Sequence, residues 1–151
     1  MPGPLSSSET PDRGAVGRAG ELAARRHCES LGYEVLGANI RFPATLDWPG
    51  VRGELDLVCR DGDAVVFVEV KARRGGPGVV PEEKVTPLKR SRLAQLASAW
   101  LAREGWYGSD REFAVRFDVI GVVLGPRGAV VRLTHRHGAF SPSDGVAFGD
   151  E

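Results

Sequence analysis

The chain has 151 residues, of which 42% are hydrophobic and 26% are charged, as is typical of a single globular domain. Twenty Lys and Arg balance twenty Asp and Glu, so net charge argues neither for nor against a nucleic-acid partner. The longest strictly apolar run, AVVFV, is too short to span a bilayer, and two cysteines do not make a disulfide framework. We therefore expect neither a membrane protein nor a disulfide-stabilised one.

The N-terminal part of the chain predicts a tail, a helix and a strand. Residues 1–13 are rich in Pro, Ser and Gly and predict a disordered tail. This segment lacks the basic start and apolar core of a signal peptide, so we expect a cytoplasmic protein in which Cys28 and Cys59 are small buried hydrophobes. Helical periodicity runs over residues 14–31, and residues 33–41 predict a first strand.

A β-hairpin is predicted next, after a loop over residues 42–52. Two strand-like segments, Gly53–Arg60 and Ala64–Arg73, flank the dipeptide Asp61-Gly62. This dipeptide favours a type I′ turn, which requires positive φ at both central positions. The glycine-rich residues 74–83 predict a mobile loop.

The second half predicts one helix and two strands. Thr86 followed by Pro87 has the form of an N-cap and a first helical residue, and apolar residues then recur at helical spacing as far as Gly105. Residues 113–124 and 129–137 predict strands.

The order of these elements predicts an α/β fold with a mixed central sheet of about five strands flanked by helices. We assign the folded domain to residues 14–137. Residues 138–151 contain no Lys or Arg, and we expect them to form a flexible acidic tail.

Charged residues alternate with apolar residues in the predicted hairpin. Side chains alternate between faces along a strand, so Glu54 and Asp56 share one face of theirs. Glu69 and Lys71 likewise share one face. With a two-residue turn at Asp61-Gly62, we predict that Glu54 lies opposite Glu69. Asp56 then lies opposite Phe67 and diagonal to Glu69, so that three carboxylates and one ammonium share one side of the sheet.

The predicted carboxylate cluster requires a source of positive charge, because close carboxylates cannot all stay ionised without one. Lys71 supplies one charge, and a divalent cation would supply two. Hard carboxylate oxygens suit Mg²⁺ or Mn²⁺. The alternative is an edge hairpin whose charges lie in water, but VVFV and LDLV are too apolar for a solvated edge.

Six sequence motifs together resemble a known family. They are GRAGELAA, GYEVLGANIR, GELDLV, VFVEVKAR, a lysine before the second helix (Lys84), and RFDVI at residues 116–120. GELDLV and VFVEVKAR resemble the PD-(D/E)xK nuclease core. Over residues 14–124 the chain resembles the bacterial YraN-like family, which is similar to Holliday-junction resolvases in fold. The resemblance implies a restriction-endonuclease-like core.

The resemblance also implies metal-dependent hydrolysis of phosphodiester bonds in structured DNA. The implied catalytic residues are Glu21, Asp56, Glu69 and Lys71. The implied ligands of Mg²⁺ or Mn²⁺ are Asp56, Glu69, Glu21 and the carbonyl of Val70. Lys71 would position the attacking water or stabilise the transition-state anion. Glu54 would support the site from outside the metal shell, or would only pair with Lys71 or Arg52.

Small residues line one face of the predicted first helix. At i, i+3, i+4 and i+7 spacing, this face carries Gly17, Gly20, Glu21, Ala24 and Cys28, and all of them except Glu21 are small. Such a face lets a helix approach a sheet closely, so Glu21 on the same side would reach inward as a further carboxylate. The alternative is a surface glutamate paired with Arg25 at i+4.

Positive charge is concentrated between residues 71 and 92. The candidate nucleic-acid-binding residues are Arg73, Arg74, Lys84, Lys89, Arg90 and Arg92. Three of them lie in the first turns of the second helix, where cations oppose the helix dipole and a bound anion would be favoured. The alternative is a solvated basic face.

Two further features have alternative interpretations. The loop over residues 42–52 is longer than the family pattern, and its Trp48 would either stack on a base or, in the interpretation we favour, anchor the loop. His135 and His137 share a face of a predicted strand and could bind metal. With no third ligand evident from the sequence, we interpret them as a surface pair.

Three functional classes follow from the sequence: a metal-dependent nuclease, a non-catalytic nucleic-acid-binding module, and an interaction scaffold. Near-zero net charge argues against strong general affinity for nucleic acid. We therefore expect a structured nucleic acid, with DNA favoured, as the partner and no membrane partner. The resemblance to resolvases raises a homodimer as one arrangement.

Overall fold

The computed structural model describes residues 13–43, 51–80 and 85–141. Its helices and strands are, in chain order, α1 (Arg13–Ser30), β1 (Glu34–Phe42), β2 (Gly53–Asp61), β3 (Ala64–Arg74), α2 (Pro87–Arg103), β4 (Ala114–Leu124) and β5 (Val130–Phe140). The side chain of Thr86 caps α2 by accepting a hydrogen bond from the backbone N–H of Lys89, as the Thr-Pro pair predicts.

The five strands form one mixed sheet in the order in which they occur along the chain. β3 and β4 are parallel because α2 carries the chain across between them, and the other neighbouring strands are antiparallel. The predicted mixed α/β sheet flanked by helices is confirmed. β5 continues to Phe140, three residues beyond the predicted end of that strand.

The sheet separates two hydrophobic cores, one beneath each helix. The core under α1 includes Ala24, Cys28, Leu57, Val68 and Ile120. The core under α2 includes Phe67, Leu96, Trp100 and Phe117. The central strands are nearly continuous in apolar residues because both of their faces are covered. Among the described residues, no helix is both long enough and apolar enough to cross a membrane.

The hairpin register differs by two residues from the prediction. Val58 lies opposite Phe67, and the two-residue turn consists of Gly62 and Asp63. Of these two, only Gly62 has positive φ, at 60°, at the first central position, where a type II′ turn takes glycine. Over the paired residues 57–61 and 64–68, a shift by two residues leaves the side chains on their predicted faces.

Helix α1 lies very close to strand β3. Gly20 is buried, and a Cβ on it would overlap Ala72 Cβ while lying 3.6 Å from Ala72 Cα. Ala24 and Cys28, further along the same face, are fully buried. The predicted close approach of the small-residue face to the sheet is confirmed.

Candidate functional site

Asp56 lies in strand β2 between two leucines that pack in different cores. Leu55 packs in the core under α2, and Leu57 packs in the core under α1. The pairing of β2 with β3 ends at Leu57. One carboxylate oxygen of Asp56, Oδ2, accepts a hydrogen bond of 2.9 Å from the backbone N–H of Val70. The side chain of Asp56 thus joins the two strands where the regular ladder stops.

Burial raises the pKa of Asp56 to about 7, and the neighbouring carboxylates of Glu69 and Glu21 contribute to this rise. The Val70 N–H and the Lys89 ammonium act in the opposite direction and lower this pKa. A carboxyl group in such surroundings keeps its proton until a cation compensates its charge. A divalent cation beside Asp56 would favour the ionised form of this carboxyl group.

Glu69 is the buried carboxylate of the site, with 6% of its surface exposed. Its Oε2 lies 3.6 Å from Lys71 Nζ and 3.3 Å from Lys89 Nζ. Lys71 comes from the same strand, and Lys89 comes from the first turn of α2. Two ammonium groups therefore meet one carboxylate oxygen.

Glu21 lies between two clefts on the α1 side. A cleft of about 590 Å³ between α1 and β3 is lined by Glu21 and Lys71. A smaller cleft of about 280 Å³ is lined by Glu21 and Asp56. Partial burial raises the pKa of Glu21, and so do the nearby charges of Glu54 and Glu69. The alternative in the sequence analysis paired Glu21 with Arg25 on the surface. In the structure, Arg25 instead contacts Glu29 at 3.5 Å.

The structure corrects one detail of the predicted site. Glu54 is exposed and lies opposite Arg41 of β1 rather than opposite Glu69. The regular pairing of β2 with β3 ends at Leu57, so it does not extend to Glu54. The N–H of Val70 contacts Asp56, and the Val70 carbonyl stays a predicted metal ligand. Among the described residues, Glu21, Asp56 and Glu69 do not form a group of ligand atoms within 4.8 Å of one another.

The predicted cations fall into different environments. Arg73, Arg74 and Arg92 are exposed, and the first two line the larger cleft. Lys89 contacts Glu69, as described above. Arg90 donates a hydrogen bond to the carbonyl of Val85 at 2.8 Å and lies over the Phe140 ring. Its guanidinium therefore makes contacts within the protein itself. Lys84 and Trp48 lie outside the described residues.

A second polar cluster lies on the α1 face where β4 meets β5. Asp118, His135 and His137 place ligand atoms within 4.8 Å of one another, so they could hold a metal ion. Asp118 is fully buried. Burial alone would raise its pKa, but hydrogen bonds from His135 and Arg116 lower that pKa to about 2. The interpretation of the two histidines as a surface pair is wrong for His135, whose side chain is only 6% exposed.

Sequence analysis missed Asp118 as the third member of this cluster. A signal was present, since RFDVI places Arg116 and Asp118 on one face of an apolar strand, and charged residues inside a sheet need partners. What the sequence does not give is the pairing of that strand with the histidine-bearing one.

Comparison with known proteins identifies the family. Residues 20–122 match the family described as Uncharacterised protein family UPF0102. The chain belongs to the UPF0102 family. It is 44% identical to the UPF0102 protein of Symbiobacterium thermophilum over 113 residues, which are 75% of this chain and 86% of the relative. It is also 44% identical to the UPF0102 protein of Streptomyces coelicolor over 119 residues, 79% of this chain and 84% of the relative. The resemblance to the YraN-like family is thereby confirmed.

A third UPF0102 relative, from Pelotomaculum thermopropionicum, is 42% identical over 128 residues. These residues cover 85% of this chain and 97% of the relative. The matched residues 20–122 include Glu21, Asp56, Glu69 and Asp118. His135 and His137 lie beyond this range.

Proposed function

We propose that this UPF0102 protein is a metal-dependent nuclease that hydrolyses phosphodiester bonds in structured DNA. The observation that carries the proposal is the environment of Asp56. Its carboxyl group accepts a hydrogen bond of 2.9 Å from the Val70 N–H, and its pKa is raised by burial and by the nearby carboxylates of Glu69 and Glu21. Such a group becomes an ionised ligand when a cation arrives.

The donor set fits Mg²⁺ or Mn²⁺, because every candidate side-chain ligand is a hard carboxylate oxygen. Asp56 and Glu69 would hold the ion, with Glu21 approaching from α1. The ion would supply an acidified water and would neutralise charge on the phosphoryl oxygens. Lys71, which lies near Glu69 and lines the cleft beside α1, would orient the nucleophile or stabilise the developing anion. Arg73 and Arg74 would bind the phosphates of the DNA backbone.

The contacts of Glu69 favour a second candidate function. Because two lysines already compensate Glu69, the hairpin can be held together without metal. A non-catalytic nucleic-acid-binding module or an interaction scaffold would keep such a pairing for its structural effect.

The test is cleavage of labelled single-stranded DNA, duplex, flap, four-way junction and RNA with Mg²⁺ or Mn²⁺. We expect cleavage of a structured DNA by the wild type. Asp56→Asn and Lys71→Gln should each reduce the rate roughly 10²–10³-fold, the usual cost of losing one group that acts in the transition state. Asp63→Asn and Arg132→Gln are matched exposed controls and should retain full activity.

The same assay separates the alternatives. If no substrate is cleaved, and all four variants bind nucleic acid equally with and without metal, the protein is a non-catalytic binding module. Absence of both cleavage and binding would leave a scaffold.

A further inference from the structure

The cluster at Asp118 is built around an irregularity in the sheet. Phe117 pairs with Phe140 and Val119 pairs with Arg136, so residues 137–139 of β5 lie opposite the single residue Asp118. Gly138 has a φ of 58°, and its N–H donates to Asp118 Oδ1 at 2.9 Å. Bulges of this kind redirect side chains and are common beside functional sites.

We propose that Asp118, His135 and His137 bind a borderline divalent cation of the Zn²⁺ class, at a site separate from the carboxylates of the hairpin. His135 Nε2 lies 2.8 Å from Asp118 Oδ2, and His137 Nδ1 lies 3.7 Å from the same oxygen. Tetrahedral zinc with bonds of about 2.0–2.1 Å holds neighbouring ligand atoms about 3.3 Å apart. The two observed separations lie on either side of that value, so small side-chain movements would suffice.

The donor set selects the class of metal. Two imidazoles and one carboxylate suit zinc and related transition ions, whereas Mg²⁺ prefers oxygen ligands only. Three protein ligands leave a fourth position, and the side chain of His137 is 53% exposed, so the ion can enter from solvent. The hairpin site, whose side-chain ligands are all carboxylates, would instead prefer Mg²⁺ or Mn²⁺.

His27 of α1 supports the site from outside the ligand shell. Its Nε2 lies 3.0 Å from His135 Nδ1. While His135 donates its Nε2–H to Asp118, His27 must donate to His135. When His135 Nε2 binds a metal, His135 can carry its proton on Nδ1 and donate it to His27. The contact survives the exchange of tautomers, and metal-bound histidines almost always have such a partner for the second nitrogen.

Arg116 fixes the carboxylate and limits the affinity of the site. Its Nε donates to Asp118 Oδ1 at 2.9 Å and its Nη2 donates to Asp118 Oδ2 at 3.0 Å. The guanidinium also donates to Asp61 at 2.9 Å and to the Tyr33 hydroxyl at 2.8 Å. Arg116 therefore orients the carboxylate as outer partners of metal sites do, while its charge weakens cation binding compared with an unpaired carboxylate.

The test uses the full chain after treatment with a chelator, titrated with Zn²⁺ alone by calorimetry and with Co²⁺ alone by visible absorption. We expect one ion per chain, bound even in roughly 100-fold excess of Mg²⁺, and Co²⁺ bands typical of tetrahedral coordination. His137→Gln should lower the affinity at least about 100-fold, more than the roughly 10–100-fold expected for the positioning variant His27→Ala. Because His137 is half exposed, its replacement should leave the fold intact.

Asp56→Asn is the control that separates the two sites, and its Zn²⁺ affinity should equal that of the wild type. Absence of a bound ion, or equal affinity in the wild type and His137→Gln, would overturn the proposal. Loss of Zn²⁺ binding in Asp56→Asn would also overturn it, since the ion would then belong to the hairpin. None of these results depends on nuclease activity.

Discussion

Replacing Gly20 with alanine is the sharpest test of how α1 meets the sheet. The new Cβ would lie about 1 Å closer to Ala72 Cβ than the usual carbon contact of about 3.5–4.0 Å. The neighbouring atom is a short side chain on a central strand and cannot rotate away. Helix and strand must therefore separate, and overpacking of this kind costs about 1–3 kcal/mol.

Gly17→Ala is the matched control, because a Cβ at Gly17 meets nothing within 4 Å. Each substitution gains about 0.8–1.0 kcal/mol of helix propensity. We therefore expect Gly17→Ala to be stabilised by about that amount and Gly20→Ala to be destabilised by about 0–2 kcal/mol. The difference of about 1–3 kcal/mol isolates the overpacking, and urea unfolding followed by circular dichroism measures it. Equal stability of the two variants would refute the close approach.

Three further predictions concern individual residues. In metal-free protein, the wild type should lose a few kcal/mol of stability as pH rises from about 4 to about 7. The reason is that folded Asp56 keeps a proton that the unfolded chain releases near the ordinary aspartate pKa of 3.8. The Asp56→Asn variant should lose less stability over the same range. Replacing both Arg73 and Arg74 with alanine should make the slope of log DNA affinity against log salt shallower by about 1 for each arginine, which is the loss of one phosphate contact each. Gly138→Ala should cost about 1–2 kcal/mol through its left-handed backbone, whereas Gly108→Ala, with open space and no such φ, should not.

Each of these predictions has a result that would contradict it. A pH profile of unfolding that is parallel in the wild type and Asp56→Asn would show that the folded state does not retain this proton. An unchanged slope of log affinity against log salt would remove the two arginines from the DNA interface, and Arg132→Gln gives the baseline for an exposed cation. Equal stability of the two glycine variants would mean that β5 can form its bulge without glycine.

The strands and helices were predictable because their signals are local. Periodicity of two or of 3.6 residues, the Thr86-Pro87 cap and the small-residue face of α1 each depend on neighbours in the chain. The hairpin register depends on finer turn geometry. The dipeptide Asp61-Gly62 predicts the wrong central pair, since the turn places its positive φ on Gly62 as the first central residue. Because two residues are one full period of a strand, the shift keeps the predicted faces of the paired residues, but it does not place Glu54 opposite Glu69.

The cluster at Asp118 could not be predicted, because it depends on contacts that no local pattern specifies. Asp118 and His137 meet only because β5 has extra residues opposite Asp118, and His27 joins them from a helix 108 residues away from His135 in sequence. The buried charge in RFDVI indicates that a partner is needed, but the choice of partner depends on strand pairing and on the bulge.

Helix α1 connects the two clusters through one geometric fact. At about 100° per residue, Gly20, Ala24 and Cys28 span an arc of about 80° that faces the sheet. His27 lies about 20° before this arc and Glu21 about 20° beyond it, so the helix directs one residue to each cluster. The two residues are six positions, or about 9 Å, apart along the axis.

If the close approach of α1 positions both residues, Gly20→Ala should affect both sites. A displacement of about 1 Å can cost roughly 10²-fold in rate at a reacting centre, and loosening His27 should weaken Zn²⁺ binding at Asp118 by the roughly 10–100-fold expected for an outer partner. Gly17→Ala should change neither property. A Gly20→Ala variant that lost only one of them would show that α1 positions that site alone, and that the other is held by the sheet.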